Sequence, residues 1–124
     1  MAQPSFTDEE LVTGYLRSIA EGGGDTPHFW AWEEMHELIS TEPERAWRLM
    51  IQMVRQSQDD LALAGVAAGP LEDLLAWCGP QFVERAENLA ASEPRFQQAL
   101  MMIYTSRLQP DIRRRIESAI KGNA

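Results

Sequence analysis

Glu42-Pro43-Glu44-Arg45-Ala46-Trp47-Arg48-Leu49-Met50-Ile51-Gln52-Met53-Val54-Arg55-Gln56 is the stretch on which the fold turns. Proline fits the first helical position, where its missing N–H would be unpaired anyway, so Pro43 marks a helix start. Ala46, Trp47, Leu49, Met50, Ile51, Met53 and Val54 then cover more than half of the helix circumference. Only Glu44, Arg45, Arg48, Gln52, Arg55 and Gln56 are polar, and an apolar stripe this wide needs neighbours on two sides. The segment is therefore expected to be a central helix, and the question becomes what surrounds it.

Working toward the N-terminus, residues from about Pro27, with Thr26 or Asp25 as cap, to about Ser40 read as a helix. Before it, Thr7-Asp8-Glu9-Glu10 has the form of a capping box, with Phe6 placed to staple onto Leu11. Leu11, Val12, Tyr15, Leu16 and Ile19 give that first helix one apolar face, and Gly22-Gly23-Gly24 end it. Toward the C-terminus, Asp59 and Asp60 can cap a short helix from Leu61 to about Ala68. Gly69-Pro70 and Gly79-Pro80 each pair a helix stop with a helix start, so Leu71 to Cys78 is expected to be a helix of its own. Further helices follow Pro80, Pro94 and Pro110. No stretch alternates with the period of a strand.

The fold is expected to be all-α, with about seven to eight short helices in one domain, 1–124, and flexible ends at 1–6 and 121–124. A shift of 51 residues lays Glu42-Pro43 on Glu93-Pro94, Leu49 on Leu100 and Met50 on Met101. That weak repeat suits a HEAT-like α-solenoid fragment, while an irregular orthogonal bundle suits the same helices equally.

Composition narrows the function. The 124 residues are 44% hydrophobic and 24% charged, the balance of a globular domain that needs no disulfide or metal for its core. Cys78 is the single cysteine, so no internal disulfide forms. Met1 to Ser5 lack the basic and apolar regions of a secretory signal, and no run of about 18 apolar residues occurs. These features point to the cytoplasm and away from a membrane. Net charge is −8, and all of it falls in residues 1–60, which hold twelve acids against four arginines. Such a surface repels phosphate backbones, so no nucleic acid is expected as a partner. It steers a basic protein instead.

No phosphate-cradling glycine loop, cysteine knuckle or serine elbow occurs. Glu33 and His36 supply one Glu-x-x-His step, where a di-iron bundle uses two, and His36 reads as a hydrogen-bonded core or core-edge histidine. Cys78 reads as a packed thiol, and Arg113-Arg114-Arg115 as a solvated helix face outside Ile112 and Ile116. No catalytic residue, cofactor or metal is assigned. The sharpest surface feature is Trp30, which falls on the helical wheel amid Glu33, Glu34 and Glu37 and suits an interface anchor ringed by steering charge. The competing reading folds Trp30 back under the Gly22 to Gly24 loop or the first helix. An alternative ligand or catalytic site is Glu72 and Asp73 with His36, although both acids also fit a helix start, where the dipole favours them.

Trp32, the Glu42 to Trp47 step, the Ala67-Ala68-Gly69-Pro70-Leu71-Glu72-Asp73-Leu74-Leu75 segment and Glu93-Pro94-Arg95-Phe96 together resemble a bacterial family of small helical domains of unknown function. The resemblance runs from about Leu11 to Tyr104. It implies a small helical domain, brings no activity or cofactor with it, and directs attention to Gly69 through Asp73. The function expected is a non-enzymatic interaction domain, an adaptor or a toxin-neutralising immunity protein, monomeric or homodimeric, that presents an acidic helical face to a basic protein. The alternative is a small-ligand binder or enzyme around Glu72, Asp73 and His36.

Overall fold

A computed structural model describes residues 6–122. The elements are α1 (Asp8–Glu21), α2 (Phe29–Thr41), α3 (Pro43–Gln56), α4 (Asp60–Val66), a π turn (Ala67–Leu71), α5 (Glu72–Ser92), α6 (Pro94–Leu100), a 3-10 turn (Thr105–Arg107) and α7 (Pro110–Lys121). No strand occurs among the described residues. The fold is all-α.

The central helix is where it was expected. α3 buries Ala46, Trp47, Leu49, Met50, Met53 and Val54, and touches α1, α2, α4, α5 and α6. Trp47 stacks on Phe82 of α5 with ring centroids 4.9 Å apart, and meets Phe96 of α6 edge-on at 6.1 Å. Those three rings join the two halves of the chain.

Most boundaries follow local chemistry. The Thr7 hydroxyl accepts from the Glu10 amide at 3.1 Å while the Glu10 carboxylate accepts from the Thr7 amide at 2.9 Å. Gly22 closes α1 in the left-handed region at φ 97°, where a side chain would be strained. α2 begins later than expected: Thr26 caps nothing, its hydroxyl being buried without a partner. Instead Glu21 accepts from the His28 amide at 3.1 Å and meets Nδ1 of the same residue at 2.6 Å, which pins the connecting turn. Of the ends expected to be flexible, 1–5 and 123–124 lie outside the described residues. Phe6 stacks on Trp30 at 4.4 Å rather than trailing free, and Lys121 closes α7.

The two Gly-Pro steps are kinks. Hydrogen bonding runs on from Asp60 to Ser92, but the backbone leaves helical geometry at Gly69 (φ −96°, ψ −105°) and again at Cys78 (φ −125°, ψ 32°), so two helices meet at each point, close to where the Gly-Pro steps were expected to divide them. Counted by unbroken hydrogen bonding, the described residues hold six helical runs, fewer than the seven to eight expected. The Asp60–Ser92 run is long and apolar enough to cross a membrane on composition alone, with mean hydropathy 1.4. Within it Leu63, Val66, Leu71, Leu74 and Leu75 are buried in the core, while Leu61 and Trp77 are exposed.

Candidate functional site

Rotation of α2 decides which of its residues meet solvent. Ala31, Met35, Leu38 and Ile39 are buried, and at about 100° per residue they place Trp32, His36, Glu33 and Glu37 on the outer face. All four are exposed. Trp30 is not the exposed anchor expected of it. It is half-buried, stacked on Phe6 and lying over Gly14 of α1, where an added Cβ would sit 3.0 Å from its ring. Glu34 is half-buried as well. The expected surface of Trp30, Glu33, Glu34 and Glu37 thus contributes two exposed glutamates and no exposed tryptophan.

The exposed aromatics lie one step round the helix. Phe29, Trp32 and His36 follow the spacing that aligns side chains along one helix face. Their rings stack in series, Phe29 on Trp32 at 5.1 Å and Trp32 on His36 at 5.2 Å, nearly parallel. Trp77 of α5 then meets His36 edge-on at 5.5 Å. Trp32 is 40% exposed and Trp77 52%. His36 is therefore an exposed member of an aromatic row, not the core or core-edge histidine expected. Beside the row, Glu33 and Glu37 make no ion pair among the described residues.

The alternative trio separates in the structure. Glu72 is 3% exposed and fully engaged: Oε1 accepts from the Tyr104 amide at 2.7 Å and Oε2 from Arg107 Nη1 at 2.5 Å. The same Nη1 reaches Asp73 Oδ1 at 2.9 Å. Hydrogen bonds to Glu72 and then Asp73 raise the Arg107 pKa above its ordinary value. Glu72 is thus the anchor of the loop after α6. Asp73, by contrast, lines a small notch with His36, Trp32 and Tyr15 beside the π turn.

Tyr15 explains how that notch is built. Its ring is buried, and its hydroxyl donates to the Gly65 carbonyl at 3.3 Å. Pro70 brings no N–H to the π turn, so a side chain from another helix supplies a donor there. A Cβ on Gly69 would lie 2.3 Å from that hydroxyl. Burial, and then the nearby Asp73 charge, push the Tyr15 pKa upward. Trp77 and Arg107 were not singled out from the sequence, Tyr15 entered only as part of an apolar helix face, and Trp32 only as part of the family resemblance. For Tyr15 a signal existed, since a tyrosine on an inward face needs a partner for its hydroxyl.

Other candidates have ordinary roles. A groove of about 500 Å³ between α5 and α7 is larger than the notch, but its charges Glu87 and Arg115 pair with each other. Arg113 pairs with Glu117 at 3.2 Å, leaving Arg114 on the solvent face. Cys78 is half-buried at the second bend. Among the described residues no three His, Cys, Asp or Glu side chains gather as a metal cage.

No curated protein and no solved structure gives a significant match to the chain. A family match does exist, and it extends through α7, past the Leu11 to Tyr104 stretch on which the sequence resemblance rested. Residues 19–124 match the family described as a family of unknown function, DUF6869, and the chain belongs to that family.

Proposed function

We propose that the protein is a non-enzymatic interaction domain that binds a basic protein partner through the outer face of α2 and the adjoining start of α5. The observation that carries this reading is the exposed row of Trp32, His36 and Trp77 lying beside Glu33 and Glu37, two carboxylates that pair with no cation among the described residues. Exposed tryptophans are the side chains that dominate binding energy at interfaces. Unpaired acids around them speed and orient the encounter with a basic surface. An immunity protein that neutralises a basic toxin and an adaptor both work this way. The ligand-binding alternative has less support, because Glu72 is already saturated and the notch at Asp73 has a volume of about 10 Å³.

For the architecture we take the irregular bundle over the HEAT-like stack. α3 touches five other helices, whereas a solenoid repeat touches only its neighbours.

Capture of the tagged protein and its Trp32→Ala/Trp77→Ala and Glu33→Gln/Glu37→Gln variants from the native host, at low and high salt, tests the interaction. A basic protein retained by wild type at low salt, weakened by high salt and by the glutamine variant, and lost from the alanine variant is the expected result. A partner held equally by all three proteins would refute this surface.

A further inference from the structure

The notch beside the π turn has a volume of about 10 Å³ and is lined by Tyr15, Trp32, His36, Gly69, Pro70 and Asp73, among others. That is room for about one water-sized group. A primary ammonium has that size, whereas a guanidinium is a planar group carrying three nitrogens.

Charge points the same way. Arg107 Nη1 lies 2.5 Å from Glu72 and 2.9 Å from Asp73, so one cation faces two carboxylates. Both Glu72 oxygens are occupied, and the residue is buried. Asp73 is the member of the cluster that reaches the notch, and its Oδ2 has no protein donor among the described residues. The uncompensated negative charge therefore faces the opening. Trp32 forms one wall of the notch; its faces are stacked on Phe29 and His36, so it shapes the opening and shields Asp73 from water rather than holding the cation over its ring. Glu33 and Glu37 lie on the same outer face of α2 and add negative charge outside the mouth.

We infer that the notch receives the ε-ammonium of a lysine on the basic partner, with Asp73 as counter-ion and Trp32 as one wall. This inference rests on the interaction reading above and adds the residue type the surface selects. Arginine is accommodated only on the outer acidic face, where shape imposes no choice.

Decalysine and decaarginine, titrated at low salt into the full chain by calorimetry with the Trp32 indole N–H followed by NMR, test it. Decalysine is expected to shift the Trp32 resonance. Asp73→Asn, which removes the counter-ion, and Trp32→Leu, which removes a wall of the notch, should each weaken decalysine by about fivefold and leave decaarginine unchanged. Thermal melts check that Asp73→Asn is folded, and Trp32→Leu, at an exposed position, decides the matter if it is not. If both peptides bind wild type, lose affinity in Glu33→Gln/Glu37→Gln, and ignore the two notch variants, the lysine inference is overturned while the acidic-face reading stands. If neither peptide binds, both readings fall.

Discussion

Gly69-Pro70 and Gly79-Pro80 are the same dipeptide ten residues apart in one helical run, and the chain treats them differently. At the first, the residue before proline takes the non-helical geometry itself, and a π turn forms around it. At the second, the bend falls one residue earlier, on Cys78, and helix α5 carries on. Pro70 is buried and Pro80 exposed. Each glycine admits a neighbour: Tyr15 over Gly69, Ile112 of α7 over Gly79. The first neighbour is polar and completes a hydrogen bond; the second only packs. A Gly-Pro step thus sets where a helix can bend, and the element lying across it sets what the bend becomes.

Substitutions at the two steps test that contrast. Gly69→Ala forces the Tyr15 hydroxyl off its site 2.3 Å from the new Cβ and off the Gly65 carbonyl. The expected cost is about 2 kcal/mol, read from urea unfolding. In a Tyr15→Phe background the next contact is ring carbon Cζ at 3.6 Å, an ordinary separation, so most of that cost should vanish. Additive behaviour of the pair would show that Tyr15 does not shape the turn.

Alkali probes the same contact without mutation. Tyr15 holds its proton more tightly in the folded chain than in the unfolded one, so its contribution is complete below about pH 10 and declines as pH rises above it. By pH 11 the loss should approach about 1.4 kcal/mol, and Tyr15→Phe should lack it. At the second step, Gly79→Ala meets Ile112 Cγ1 at 2.9 Å, a clash partly offset by alanine's better helix propensity. The net cost should be about 1 kcal/mol or less. Smallest of all, Pro80→Ala on the exposed side should change stability by about 0.5 kcal/mol or less. A larger loss there than at Gly69 would reverse the comparison.

The sequence carried the helical class, the central place of α3 and the Thr7 cap, because each rests on local periodicity or a local hydrogen bond. It also carried the two breaks near Gly69 and Gly79, where the backbone does leave helical geometry. It did not carry how closely the helices are joined across them, because Tyr15 and Ile112 come to these steps from 54 and 33 positions away. The candidate surface was legible in part. Glu33 and Glu37 are exposed, as the helical wheel of α2 has them, but that wheel was turned toward Trp30, since nothing in its own sequence says that Phe6 and Gly14 cover one tryptophan and leave the other more open. Asp73 and His36 were named together, while Glu72 was drawn away by Arg107, a partner 35 residues distant.

The anchoring of Glu72 also bears on how the chain is made. Its two partners, the Tyr104 amide and Arg107, belong to the last fifth of the sequence. A nascent or clipped chain ending before Tyr104 must either bury a carboxylate with no donor or leave the start of α5 hydrated and loose. The bond acts as a completeness check: the turn that shapes the notch becomes secure only when the final segment arrives, and fragments lacking that segment are left open to proteolysis.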